Sequence, residues 1–215
     1  MKKITLLLFL LFPILLSAHT VNYQLVGASN STVFLYYLRL GFEHILPSGL
    51  DHILFIVGLY LLSPKLKSVL IQATAFTIAH TITLCMSMKG TLTMSSQIIE
   101  PIIALSIVFI ALENMITTEI KPWRIAIVFA FGLIHGMGFA ASLNEIGLPP
   151  DAFYYSLFTF NIGVELGQIS IILACYLLFG RYFSEKIWYR PRLFFPISIL
   201  IAVVAAYWTI ERVFF

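Results

Sequence analysis

The chain has 215 residues, of which 60% are apolar and only 11% charged; a soluble domain carries about 25% charged residues. Mean hydropathy is +0.97, which excludes a soluble globule and a disordered chain and implies one compact membrane domain. The formal charge of +3 is too small to suggest a nucleic-acid partner, and nothing resembles a phosphate-binding P-loop, so no nucleotide is expected either.

Residues 1–18 read as a cleavable signal peptide. Met1-Lys2-Lys3 is a basic start, Ile4 to Leu16 is an apolar stretch too short to span, and Ser17-Ala18 offers small residues for cleavage. Cleavage after Ala18 would leave His19 as a periplasmic N-terminus, whose amino group and imidazole form a minor metal-binding candidate. Residues 19–215 are then a single transmembrane domain.

The first mature segment, Val33 to Leu62, is apolar but interrupted at Pro47-Ser48-Gly49. Five further runs are each long enough to span, at about 20 residues: Val69–Met88, Ile98–Met115, Trp123–Leu143, Ala152–Phe179 and Phe194–Val213. Basic residues alternate between the connecting loops. Lys65 and Lys67 lie in one, Lys121 and Arg124 in a second, and Arg181, Lys186, Arg190 and Arg192 in a third. Basic loops face the cytoplasm. A periplasmic N-terminus then demands an odd number of crossings before Lys65, so the interrupted segment counts as one broken passage. The expected fold is all-α, a polytopic bundle of six transmembrane helices in the bacterial inner membrane, with lipid as its solvent. Cys85 and Cys175 would lie near opposite faces and read as small buried residues.

Ionisable residues within these runs carry the functional signal, since each costs about 2.5–3.5 kcal/mol at a helix centre. His44 and the pair Asp51-His52 flank the break. Two imidazoles and a carboxylate suit nickel, zinc, cobalt or ferrous iron. Equally, Ser48 and Asp51 have capping-box spacing, which would give Asp51 a structural role. His80 sits among Thr77, Thr81 and Thr83, as a ligand or as an interhelical contact. His135 and Glu165 are each enclosed by glycines at close-packing spacing. Asn161, Glu165 and Gln168 share one helix face. Glu100 precedes Pro101 in the first turns of its helix, where the helix dipole also favours a carboxylate. Glu113-Asn114 reads as an exit-side group or a polar helix end. In this topology His44, Asp51, His52, His80 and Glu100 fall in the outer half, with His135 and Glu165 near the middle. An outer site of His44, Asp51 and His52 would then feed a midplane site of His80, His135 and Glu165, supported by Glu100, Asn161 and Gln168.

Several stretches carry a resemblance. Gly41-Phe-Glu-His-Ile-Leu-Pro-Ser-Gly-Leu-Asp-His-Ile-Leu-Phe55 resembles the first signature of the HupE/UreJ family, in its signal-peptide-bearing second branch. Ala75 to Leu84, Glu100 to Ser106, Phe131 to Ala140 and Phe160 to Gln168 look like the later blocks, in order. The family is described as hydrogenase and urease accessory proteins, and the resemblance implies a six-helix nickel permease. The divalent ion is accordingly expected to be nickel, with cobalt, zinc and iron as alternatives, and to be cargo. An intramembrane metal-dependent hydrolase and a metal-binding accessory subunit of a membrane complex are the competing readings.

Overall fold

The structure is a computed structural model that describes residue 25 and residues 27–62, 65–117 and 119–215. The signal-peptide stretch and His19 lie outside the described residues. Ser29 opens the first helix: its backbone is extended and its hydroxyl accepts the Thr32 amide, filling a donor that a first turn leaves free. Helix α1 (Asn30–Ile45) stops just before Pro47, which has no amide hydrogen to continue the ladder. The Leu46–Pro47 peptide is cis. Helix α2 (Leu50–Leu62) then leaves at 67° to α1. Any Cβ at Gly49 would collide with the His44 carbonyl, so this turn requires glycine.

Five longer helices follow: α3 (Leu66–Met88), α4 (Ser96–Ile116), α5 (Arg124–Ile146), α6 (Phe153–Cys175) and α7 (Phe195–Phe214). α6 runs on through a wide turn at Tyr176–Gly180, and a similar turn at Arg190–Phe194 leads into α7. These five are long and apolar enough to cross a membrane, and the bent α1–α2 pair supplies a sixth passage. The chain is thus an all-helical, multi-pass membrane protein. Large apolar side chains such as Ile78, Phe158, Leu178 and Val203 face outward from their helices. On a soluble protein such surfaces are rare; in lipid they are the solvated face.

Close backbone contacts fix the helix directions. Gly132 of α5 abuts the Phe76 carbonyl of α3, and Gly136 abuts the His80 carbonyl and the Thr83 hydroxyl. These contacts rise together along both helices, so α3 and α5 are parallel. Gly41 of α1 meets the Phe160 carbonyl, and Gly167 of α6 meets Ile45, so α1 and α6 are parallel too. α4 and α7 are antiparallel: Arg212 reaches the Glu100 carbonyl at one end, and Asn114 reaches Ser198 at the other. Small residues permit this approach where lipid supplies no hydrophobic drive between helices.

The broken passage runs through the centre. α1 descends beside the first part of α6 as far as Gly167. α2 completes the crossing, with Tyr60 beside Phe179 and Leu61 accepting from the Tyr189 hydroxyl. Phe55, Ile56, Leu59, Tyr60 and Leu61 are all buried, so neighbours wrap α2 on every side. The three basic loops consequently share one end of the bundle. Cys85, in the last turns of α3, and Cys175, at the end of α6, are free thiols.

Two placements differ from the sequence expectation. The bend at the break brings His44 and His52 beside His80 of α3, which was expected to belong to a separate site. Arg124 is not a loop charge. It begins α5 and is fully buried beside Glu113 of α4.

Candidate metal centre

Four helices each deliver one histidine to the same layer. His44 comes from the last turn of α1 and His52 from the first turn of α2. The bend between them sets their rings 4.7 Å apart, centroid to centroid. His80 of α3 stands 6.0 Å from His44 and 6.3 Å from His52. His135 of α5 lies 5.2 Å from His52. It is carried there by neighbouring Gly136, which lets α5 close on the turn of α3 that bears His80.

One ligand nitrogen from each of His44, His52 and His80 falls within 4.8 Å of the other two. Around a tetrahedral ion with metal–nitrogen bonds of about 2.0–2.1 Å, such atoms sit about 3.4 Å apart. The Nε2 atoms of His44, His52, His80 and His135 are all buried without a hydrogen-bond partner among the described residues. An unsatisfied buried polar atom costs about 1–3 kcal/mol, and buried polar groups are otherwise almost always paired. Three of these imidazoles, His44, His52 and His80, are close enough together that they could hold a metal ion, with His135 beside His52.

The other ring nitrogens orient two of these imidazoles. His80 Nδ1 lies 3.3 Å from Asn161 Oδ1, while Asn161 Nδ2 donates to the Leu157 carbonyl at 2.8 Å. The amide oxygen therefore faces the ring and Nδ1–H donates to it. His135 Nδ1 donates to the Phe131 carbonyl at 2.9 Å. In both rings this leaves the Nε2 lone pair free to ligate. Partners of this outer kind fix tautomer and ring direction, and their loss typically weakens metal affinity 10–100-fold. Asn161→Ala is expected to weaken divalent-metal binding within that range and to destabilise the chain by about 1–3 kcal/mol, because His80 Nδ1–H loses its acceptor in a buried site; equilibrium dialysis and a melting curve check the two halves.

A cleft of about 220 Å³ opens onto this layer, lined by His44, Asp51, His52, Glu100, His135 and Arg212 among others. Asp51 does not turn toward the imidazoles. Both its oxygens accept from Arg212 Nη2, at 3.1 and 2.9 Å, and Arg212 Nη1 donates to the Glu100 carbonyl at 3.2 Å. Arg212 is absent from the sequence expectation. It stands 161 positions from Asp51 and resembles a helix-end charge, although an Arg inside an apolar span does call for a counter-charge.

The structure keeps His44 and His52 together, as expected, and adds His80 to them rather than to His135 and Glu165. His80 joins them because the bend brings both beside α3. His135 and Glu165 have separate partners. Glu165 accepts from the Thr74 hydroxyl at 2.6 Å, and its Oε2 is buried without a partner. Gln168 Oε1 accepts from Thr77 at 3.3 Å. With His80–Asn161, these pairs form a polar ladder between α3 and α6, leading from the imidazole layer toward the basic end.

A sequence comparison accords with this architecture: the pattern of a family described as HupE / UreJ protein matches residues 18–212. No curated protein and no solved structure matches the chain.

Proposed function

This chain belongs to the HupE/UreJ family, and from that premise we propose that it is a permease for a divalent transition-metal ion, nickel or its neighbour cobalt, moving it from the periplasm to the cytoplasm. The observation that carries this reading is the convergence of His44, His52 and His80 from three helices, with His135 of a fourth beside His52 and all four Nε2 atoms buried and unpartnered among the described residues. Imidazole nitrogens suit borderline ions such as nickel, cobalt and zinc, whereas magnesium and calcium demand oxygen. Cytosolic copper-type handling uses thiolate and thioether sulfur, and the described metal-ligand group is imidazole alone.

Transport requires binding strong enough to enter and weak enough to leave. A site of neutral imidazoles, with the nearby carboxylate engaged by Arg212, suits that demand better than a closed site with anionic ligands. The cleft supplies access from one side. On the other, the Thr77–Gln168 and Thr74–Glu165 pairs offer oxygen ligands below His80, with Glu165 Oε2 the free acceptor. In this reading Glu165 is an exit station, and Asp51 and Glu100 belong to the mouth.

Reconstitution of the purified chain into liposomes is the test. Nickel and cobalt are expected to accumulate inside, with magnesium excluded. Binding without accumulation would replace the permease by a metal-binding accessory protein. Neither binding nor accumulation would overturn the metal reading altogether.

A further inference from the structure

The cleft holds two carboxylate side chains, Asp51 and Glu100, and one guanidinium. Arg212 pairs with the carboxylate of Asp51. Its two bonds to Asp51 and its bond to the Glu100 main chain span α2, α4 and α7. The ion pair is part-exposed, with side-chain accessibilities of 22% and 26%, so it stands at the opening and not in the sealed interior. The same cleft is lined by His44, His52 and His135, so a cation that enters it meets this pair alongside the imidazoles.

We propose that Arg212 determines cation selectivity, as a tethered cation that masks Asp51 from hard divalent ions. The proposal rests on the reading of the imidazole layer as a metal path and assigns the filter at its cleft. Calcium and manganese are drawn by oxygen ligands, carboxylates above all. Two unmasked carboxylates on one small cleft would give such ions a resting place and a competitive advantage by abundance. With Arg212 in place the net charge of the Asp51–Arg212 pair is zero, and a hard ion gains little by displacing a guanidinium held at two points. A borderline ion is rewarded differently, because His44, His52 and His135 line the same cleft. Discrimination here is by removal of the wrong ligand as much as by provision of the right one.

Manganese(II) is a suitable probe, since its solution resonance signal disappears on binding. The purified chain in detergent is titrated with manganese, and separately with nickel. The parent is expected to bind nickel and to bind manganese only weakly. Arg212→Gln is expected to bind manganese at least ten-fold more tightly than the parent, with Arg212→Lys intermediate, because one ammonium nitrogen cannot be tethered to the Glu100 carbonyl through a second nitrogen while it pairs with Asp51. The double variant Asp51→Asn with Arg212→Gln is expected to return manganese binding to the parent level, although its ion pair is equally absent. That return separates masking from a mere structural role. Unchanged manganese affinity in Arg212→Gln, or tight manganese binding that persists in the double variant, overturns the proposal. A parent that binds no nickel while Arg212→Gln gains manganese would sink the metal-path reading and leave the masking intact.

Discussion

Replacing His52 by alanine is expected to lower nickel affinity by at least about 100-fold and to abolish uptake into liposomes. The figure follows from position. His52 is the hub of the layer, with His44 and His135 at 4.7 and 5.2 Å and His80 at 6.3 Å. It is buried at the head of α2, and its Nε2 has no other partner. Loss of an outer-shell group already weakens metal sites 10–100-fold, so loss of a ligand lies beyond that range. The fold should survive, because the removed nitrogen makes no hydrogen bond and the neighbours of the ring are chiefly other rings. Phe76 packs on its edge at 5.9 Å, and truncation leaves a small cavity there. Equilibrium dialysis with nickel measures the affinity, and the helical circular dichroism signal confirms that the chain is folded. A folded His52→Ala protein that binds and transports nickel as the parent does would remove the imidazole layer from the mechanism.

The helix plan was readable because its signals are local. Apolar runs mark α3 to α7 to within a few residues. Pro47 and Gly49 mark the break through their own backbone chemistry, one lacking a donor and the other a side chain. The histidines were legible as candidates for a similar reason: an ionisable group in an apolar run is conspicuous wherever it sits. The pairing of His44 with His52 across the break was legible; that His80 joins them was not. The depth of His44 and His52 depends on the 67° bend, an angle set by what α2 packs against, and counting residues from a helix end treats the passage as straight. Shared glycine spacing placed His135 and Glu165 together, but those glycines serve two different contacts, α5 on α3 and α6 on α1. Arg212 was hidden by sequence distance from its partner. The Asn161 face was recognised, while its use as an acceptor for His80 required the third dimension.

Glu113→Ala is expected to destabilise the chain by about 3–5 kcal/mol, the usual consequence of stripping one partner from a buried ion pair. Arg124 Nε lies 3.1 Å from Glu113 Oε2, with the two side chains 0% and 4% exposed. Without the carboxylate, the guanidinium keeps, among the described residues, a long 3.5 Å bond to Asn114 Oδ1. Asn114 in turn donates to the Gly58 carbonyl of α2 and toward Ser198 of α7, so the disturbance should spread through four helices at the basic end. A melting curve in detergent, read by tryptophan fluorescence, gives the shift. Replacing both charges, Glu113→Leu with Arg124→Met, should recover most of the loss, since well-packed apolar groups commonly match or exceed a buried pair in stability. If Glu113→Ala melts within about 0.5 kcal/mol of the parent, in the range of ordinary surface changes, the pair is not holding this end together. The double variant also bears on why the pair exists. Glu113–Arg124 joins α4 to α5, and Asp51–Arg212 joins α7 to α2. The α4–α7 pair is therefore fastened to the histidine-bearing helices at both of its ends, by charges, across the face on which the cleft opens. An apolar double variant that is as stable as the parent but slower in nickel uptake would show that the inner pair serves transport and not stability.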